Sequence, residues 1–264
     1  MKYKVGFLGT GNMGSALATA VYQAEKDIAL CDKHEEKLAD LQNQLPEATL
    51  IAFENREELY RESAFLFLGI KPKGIPTAAG ELKDCISEET VLVTMAAGVQ
   101  LKELCAAAGT DKCIRIMPNT PAGLGQGMIL YCCGPAITEA EETEFLRLMS
   151  AAGKIDKLDE ALFDAASALS GCGPAYVYMF AQALADGAVA CGLPRAKATA
   201  YAAQTILGSA AMLMESGKHP EQLKDEVCSP GGTTIAGVME LERNHFRSAA
   251  AQAVIAAYEK TKRL

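Results

Sequence analysis

A strand-like segment, Lys4 to Leu8, runs directly into Gly9-Thr10-Gly11-Asn12-Met13-Gly14 and from there into a helix-length stretch, Ser15 to Gln23. A glycine-rich turn with a strand before it and a helix after it commits the chain to a βαβ unit on a parallel sheet. In such a turn Gly9 permits the tight bend, Gly11 lets backbone approach a pyrophosphate and Gly14 lets helix and strand pack closely. The helix N-terminus adds free N–H donors. Asp32 stands eighteen positions beyond Gly14, at the end of the second strand-like segment, where a carboxylate meets a ribose 2′-hydroxyl. These features predict a dinucleotide site. Asp32 favours NADH, because a 2′-phosphate facing a carboxylate is repelled. Lys33, His34 and Lys37 crowd the same edge and would pair with that phosphate, so NADH and NADPH both stay open.

The chain has two textures. Up to about residue 157, short apolar runs alternate with polar, helix-length stretches, the pattern of a parallel α/β sheet. Further strands are predicted at Ile28 to Cys31, Phe65 to Leu68, Val91 to Thr94 and Cys113 to Met117. Helices are predicted at Glu35 to Gln44, Asn55 to Arg61 and Leu101 to Ala107. The apolar run Gly127 to Cys133 and a polar helix, Thr138 to Ala151, close this part. After Ala161 strand signals cease, and helix follows helix between Gly192-Leu193-Pro194, Ser216-Gly217, His219-Pro220 and Ser229-Pro230-Gly231-Gly232. Residues 1–157 are therefore expected to bind the dinucleotide, and residues 158–264 to form an all-helical domain. Ala175 to Cys191 and Ala198 to Met214 are apolar nearly all round and need cover on every side. A second copy of the chain would give it, a tight monomeric bundle being the alternative.

Composition narrows the function classes. The net charge of −8 repels phosphate backbones and argues against a nucleic-acid partner. Nine scattered cysteines without C-x-x-C spacing argue against a zinc site and read as reduced cytoplasmic thiols. The N-terminus carries no secretory pattern. The uncharged run Ala165 to Ala185 is broken by Gly171-Cys172-Gly173-Pro174, which reads as buried helix rather than a membrane span. None of the three histidines, His34, His219 and His245, sits in a context that marks an acid–base catalyst. A substrate that needs little help from a base fits better than a hydroxy acid.

In an open parallel sheet, ligands lie outside the carboxyl ends of the strands. Three exits stand out: Gly69-Ile70-Lys71-Pro72, Met95-Ala96-Ala97-Gly98 and Met117-Pro118-Asn119-Thr120-Pro121. Their prolines hold extended backbone, and the small Ala96 and Ala97 admit a flat nicotinamide. A fourth segment, Cys228-Ser229-Pro230-Gly231-Gly232-Thr233-Thr234, combines consecutive backbone N–H groups with three hydroxyls. That combination suits a carboxylate, a simple Thr-capped turn being the alternative.

With these segments in hand, the chain resembles the pyrroline-5-carboxylate reductase family over nearly its whole length. The resemblance rests on the Gly9 to Gly14 turn, Lys71-Pro72, Arg115-Ile116-Met117-Pro118-Asn119-Thr120-Pro121, Ser170-Gly171-Cys172-Gly173-Pro174-Ala175-Tyr176 and Gly192-Leu193-Pro194-Arg195. Above all it rests on Asp225-Glu226-Val227-Cys228-Ser229-Pro230-Gly231-Gly232-Thr233-Thr234. It implies an N-terminal Rossmann-type domain, a C-terminal helical dimerisation domain and a proline-ring site at the dimer interface, with decamers among relatives. It implies reduction of 1-pyrroline-5-carboxylate to L-proline with NADPH or NADH. The coenzyme is assigned to Gly9, Thr10, Gly11, Asn12, Met13, Asp32, Lys33, Asn55, Ile70, Lys71, Pro72, Ala96 and Ala97. The substrate falls to Glu160, Ser229, Gly231, Gly232, Thr233 and Thr234, with the Thr234 hydroxyl on the ring nitrogen. Cys172 and Glu226 depart from the family pattern, which more often has Ser at the first position and an amide or small residue at the second. Two other readings stay in play: a β-hydroxyacid-dehydrogenase-like oxidoreductase, which would want a lysine that Ala175 to Cys191 lacks, and an NAD(P)-binding regulatory protein without turnover.

Overall fold

The computed structural model describes residues 1–262. Its first compact unit comprises residues 1–171 together with the residues from Lys260, and its second runs from Cys172 to Glu259.

The first unit is built on an eight-stranded sheet. Its strands are β1 (Tyr3–Leu8), β2 (Ile28–Cys31), β3 (Thr49–Leu50), β4 (Ser63–Leu68), β5 (Val91–Thr94), β6 (Cys113–Met117), β7 (Gly127–Cys133) and β8 (Gly153–Lys157), in spatial order 3-2-1-4-5-6-7-8. β1 pairs in parallel with both β2 and β4, so the winding of the sheet reverses at its carboxyl end. That switch point is where a crevice opens in a doubly wound sheet. The helices of this unit are α1 (Asn12–Ala24), α2 (Glu35–Gln42), α3 (Arg56–Glu62), α4 (Ile75–Lys83), α5 (Leu101–Ala108), α6 (Glu139–Met149) and α7 (Phe163–Ser170).

Strands covered on both faces read as continuous apolar runs, and β1, β2, β4, β5 and β6 do so. Alternate side chains feed two separate cores. Val5, Phe7, Ile28, Leu30, Phe65 and Phe67 meet Leu17, Val21 and Leu38 on one face. Ala29, Cys31, Leu66, Leu68 and Leu92 meet Leu59, Ala79, Leu82 and Leu104 on the other. Phe7 and Phe67 stack across the β1–β4 pair with ring centroids 4.7 Å apart.

Two features depart from the expected pattern. β6 and β7 are antiparallel, because residues 118–126 are too few for a crossover, which needs about a dozen or more residues. The sheet then gains β8 in parallel with β7 after α6. The unit also continues past residue 157, because Phe163 of α7 is fully buried in the second core.

The second unit is helical: α8 (Gly173–Ala190), α9 (Arg195–Ser216), α10 (Pro220–Glu226), α11 (Thr233–Arg243) and α12 (Phe246–Thr261), the last ending just beyond the unit. Pro220 occupies the first turn of α10, whereas Pro194 stands one step earlier, at the cap of α9. The α8–α9 hairpin buries only Ala185, Ala198 and Ala202, packed with Val189 and Leu193. Large apolar side chains face outward instead, among them Tyr178, Met179, Leu207, Met212 and Met214. An apolar surface of that extent marks an interaction face. No helix among the described residues is long and apolar enough to cross a membrane.

Candidate active site

The glycine turn sits at the β1 switch point, and its geometry separates the tasks of its glycines. A Cβ on Gly14 would lie 2.2 Å from the Gly9 carbonyl oxygen, so helix and turn touch backbone to backbone there. A Cβ on Gly11 would meet nothing within 4 Å, yet Gly11 lines the cavity. The space beside Gly11 is open to the cavity. α1 begins at Asn12 with Gly11 as its cap, without a side-chain cap and without an acidic residue in the first turn. Its leading N–H groups are thus available to an anion. The Ser15 hydroxyl steadies the turn by donating to the Gly11 carbonyl at 2.6 Å.

The cavity, about 570 Å³, brings together Gly9, Gly11, Asp32, Lys33, Ile70 and Lys71 from the ends of β1, β2 and β4. Its far wall is Phe53, Arg56, Tyr60, Thr77 and Glu81, none of them expected from the sequence. Thr77 and Glu81 lie on α4, whose Pro76 and Gly80 hid the helix from pattern reading. Arg56 forks onto Glu81 at 2.8 and 2.9 Å, and Tyr60 donates to the same carboxylate. Arg56 holds the Glu81 carboxyl below its usual range, and its own charge is matched there. Lys33, His34 and Lys37, all exposed, line the opposite edge.

Asp32 is buried, and both its oxygens are engaged. Oδ2 accepts from the Thr10 N–H at 2.6 Å and the Thr10 hydroxyl at 3.2 Å, and Oδ1 accepts from the His34 N–H at 2.9 Å. Burial pushes its pKa up, but the Thr10 and His34 hydrogen bonds outweigh that and keep it below the ordinary carboxylate value. Asp32 ties the first turn to the end of β2. Thr10 correspondingly points into that tie, whereas Asn55 is exposed between the cavity-lining Phe53 and Arg56. Asn12, Met13, Pro72, Ala96 and Ala97 lie outside the cavity lining. Of these, Ala96 is buried with its N–H on the Thr94 hydroxyl, and Ala97 is exposed at the β5 exit.

In the second unit, residues 227–232 connect α10 to α11. The Gly232 N–H donates to the Ser229 carbonyl at 3.0 Å, and Gly232 caps α11 without side-chain help. The Thr-capped turn is therefore not what forms. The hydroxyls of Ser229, Thr233 and Thr234 make no hydrogen bond among the described residues and are exposed beside the leading N–H groups of α11. Glu226 is occupied by Lys218 at 2.7 Å.

Glu160 is placed otherwise. Its Oε1 accepts from Arg115 Nη1 at 2.8 Å and from the Leu101 N–H, the first of α5, at 2.7 Å. It borders an open hollow of about 870 Å³ that runs along α5 from Leu101 to Gly109, Asp111 and Gly134. Burial pushes the thiols of Cys31 and Cys132 up to about 12, so both are protonated at neutral pH.

Residues 160–264 match the family model for pyrroline-5-carboxylate reductase dimerisation, and residues 4–98 match that for NADP oxidoreductase, coenzyme F420-dependent. Over its full length the chain is 41% identical to pyrroline-5-carboxylate reductase of Arabidopsis thaliana, covering 99% of this chain and 95% of the relative. The chain belongs to the pyrroline-5-carboxylate reductase family. The Escherichia coli member is 36% identical over 100% of this chain and 99% of its own. The crystal structure of the Plasmodium falciparum pyrroline carboxylate reductase with NADP bound superposes with a TM-score of 0.87 at 31% identity, covering 99% and 98% of the two chains. A prephenate dehydrogenase from Aquifex aeolicus, at 13% identity and a TM-score of 0.52, shares the fold alone. The reductase family's two-part architecture, an α/β coenzyme unit followed by a helical oligomerisation unit, is thus the architecture of this chain.

Proposed function

We propose that this chain reduces 1-pyrroline-5-carboxylate to L-proline with a hydride from NADPH or NADH, the last step of proline synthesis. The observation that carries the reading is that each unit offers an anion-ready helix N-terminus, α1 in the coenzyme unit and α11 behind the Ser229–Thr234 loop in the helical one. When bound, the coenzyme supplies the hydride. The Gly9–Met13 turn and the start of α1 would hold its pyrophosphate, and residues leaving β4 and β5 would hold its nicotinamide. The N–H groups of Thr233 and Thr234, with the Ser229 hydroxyl, grip the substrate carboxylate over Gly231 and Gly232. A pyrroline nitrogen is basic enough to be protonated, and its carbon then accepts hydride readily, so the site works mainly by placement. Thr234 holds the ring nitrogen through its hydroxyl.

Loss of NAD(P)H absorbance on adding pyrroline-5-carboxylate tests the reading. Tight coenzyme binding without turnover would favour a regulatory binder, and turnover of a β-hydroxy acid instead would favour the other oxidoreductase class. Thr234→Ala should cost about 1 to 3 kcal/mol of transition-state stabilisation, read from kcat/KM. Unchanged kinetics would remove Thr234 from the chemistry.

NADPH is the coenzyme we favour. Asp32 is held by Thr10 and His34, while Lys33, His34 and Lys37 face the cavity edge where a 2′-phosphate would lie. Replacing Lys33 and Lys37 together with Ala should lower kcat/KM for NADPH about tenfold more than for NADH, as expected for lost charge-assisted contacts at an exposed edge. Equal losses would place the phosphate elsewhere. The outward Met and Tyr side chains of α8 and α9, in a region matching a dimerisation family, support a homodimer as the working unit. The nine free cysteines support a reducing, cytoplasmic setting.

A further inference from the structure

The loop leaving β6 contains one amide whose hydrogen bonds reach two separate elements. Asn119 has extended backbone, with φ −123° and ψ 166°. Alternation along an extended chain therefore sends its side chain to the same side as that of Arg115. Pro118, between Met117 and Asn119, has no N–H to continue the ladder. Beyond it, the Asn119 amide takes over: Oδ1 accepts from the Met128 N–H on β7 at 2.9 Å, and Nδ2 donates to the Ser170 carbonyl at 3.0 Å. Ser170 is the last residue of α7, where helical carbonyls lack partners of their own, and the first unit ends one residue later.

Arg115 does the equivalent at the other end of the same segment. It holds Glu160, and its guanidinium lies 4.8 Å from the ring centre of the buried Phe163. One side chain of β6 and one of the loop that follows it thus hold the start and the finish of residues 160–170. The loop between Met117 and Pro121 is left pinned between β7 and α7.

We propose that Asn119 is a positioning residue of the reductase, fixing the Met117–Pro121 backbone at the carboxyl end of β6, which pairs in parallel with β5 and so lies beside the β5 exit assigned above to the nicotinamide. The inference rests on the functional reading above. It assigns Asn119 no contact with substrate; both polar ends of its side chain are already committed within the protein.

The test is a single-turnover measurement on the full-length oligomer preloaded with NADPH and mixed with saturating pyrroline-5-carboxylate. Asn119→Asp keeps the acceptor for the Met128 N–H but turns an oxygen toward the Ser170 carbonyl. The hydride-transfer rate constant should fall by at least about tenfold, since displacements near 1 Å are that costly in well-placed reactions. The reaction amplitude should stay at one turnover per site, and the NADPH Kd should stay within about threefold of wild type. A residue that served stability alone would lower the amplitude and leave the rate constant unchanged. That result, or a rate constant within about twofold of wild type, overturns the proposal. Asn119→Ser, which removes both bonds without adding charge, is judged by the same rate constant should Asn119→Asp fail to fold. Wild-type turnover in the same mixing experiment decides the functional reading separately, because the proposal concerns only the ratio of variant to wild type.

Discussion

Gly14→Ala is expected to damage both folding and coenzyme binding, whereas Gly11→Ala, three residues earlier in the same motif, is expected to damage binding alone. The added methyl at position 14 would lie 2.2 Å from the Gly9 carbonyl oxygen, with Gly9 and Gly69 backbone around it and no flexible side chain to move aside. Relief requires the start of α1 to shift away from the end of β1. Overpacking of this kind costs about 1 to 3 kcal/mol or more. In a domain of this size that is roughly 2 to 12 °C in Tm. The shifted helix also carries its N–H groups away from the pyrophosphate, so the NADPH Kd should rise by more than about tenfold. At Gly11 the methyl meets no protein atom and enters the cavity. Tm should hold while the Kd rises. Calorimetry and fluorescence titration of the two variants side by side check this. A Gly11→Ala protein that binds NADPH like wild type would mean that the coenzyme does not approach this turn.

The second large effect concerns Glu160. The resemblance places it against the substrate, but its carboxylate lies between Arg115 and the first N–H of α5. The Arg115 side chain is only 3% exposed, and its Nε already has no partner. Glu160→Ala would leave a buried guanidinium without its counter-charge. Removing one member of a buried pair costs about 3 to 5 kcal/mol, and the partial exposure of Glu160 brings this nearer to about 3. Tm should fall by roughly 6 to 12 °C. If the carboxylate acts in this anchoring role, the KM for pyrroline-5-carboxylate should stay near wild type under conditions where the variant is folded. A Tm unchanged and a KM raised more than about tenfold would return Glu160 to the substrate.

What could be read from the residues followed from how strongly local chemistry constrained each segment. The five inner strands were legible because burial on both faces leaves few polar positions in them. The glycine turn was legible because each of its glycines answers a separate demand. β8 escaped notice, since Gly153-Lys154-Ile155-Asp156-Lys157 is largely exposed and offers one apolar side chain. α4 escaped because Pro76 in a first turn and an unhindered Gly80 mimic a loop, and with it went Thr77 and Glu81 in the coenzyme cavity. The reversal at β7 is a property of connection length, not of the strand, which reads alike in either direction. Spacing singled out Asp32 as a ribose partner at the end of β2, but the hydrogen bonds that fix it come from Thr10 and His34, and no spacing rule contains them. The links from Arg115 to Glu160 and from Asn119 to Ser170 join residues 45 and 51 positions apart in the chain, beyond the reach of periodicity.

The alanine hairpin of the second unit bears on how this protein can change over generations. Its interior holds three small side chains, and its larger apolar ones lie on the outside. Such a unit is not portable: moved alone into another protein, it would have little to hold it in shape. With a second copy covering this face, as proposed above, mutational tolerance would be inverted here: Met179, Tyr178 and Met212 would be bound by the strictness usually met at interior positions, and drift at any of them would answer to a matching change in the partner.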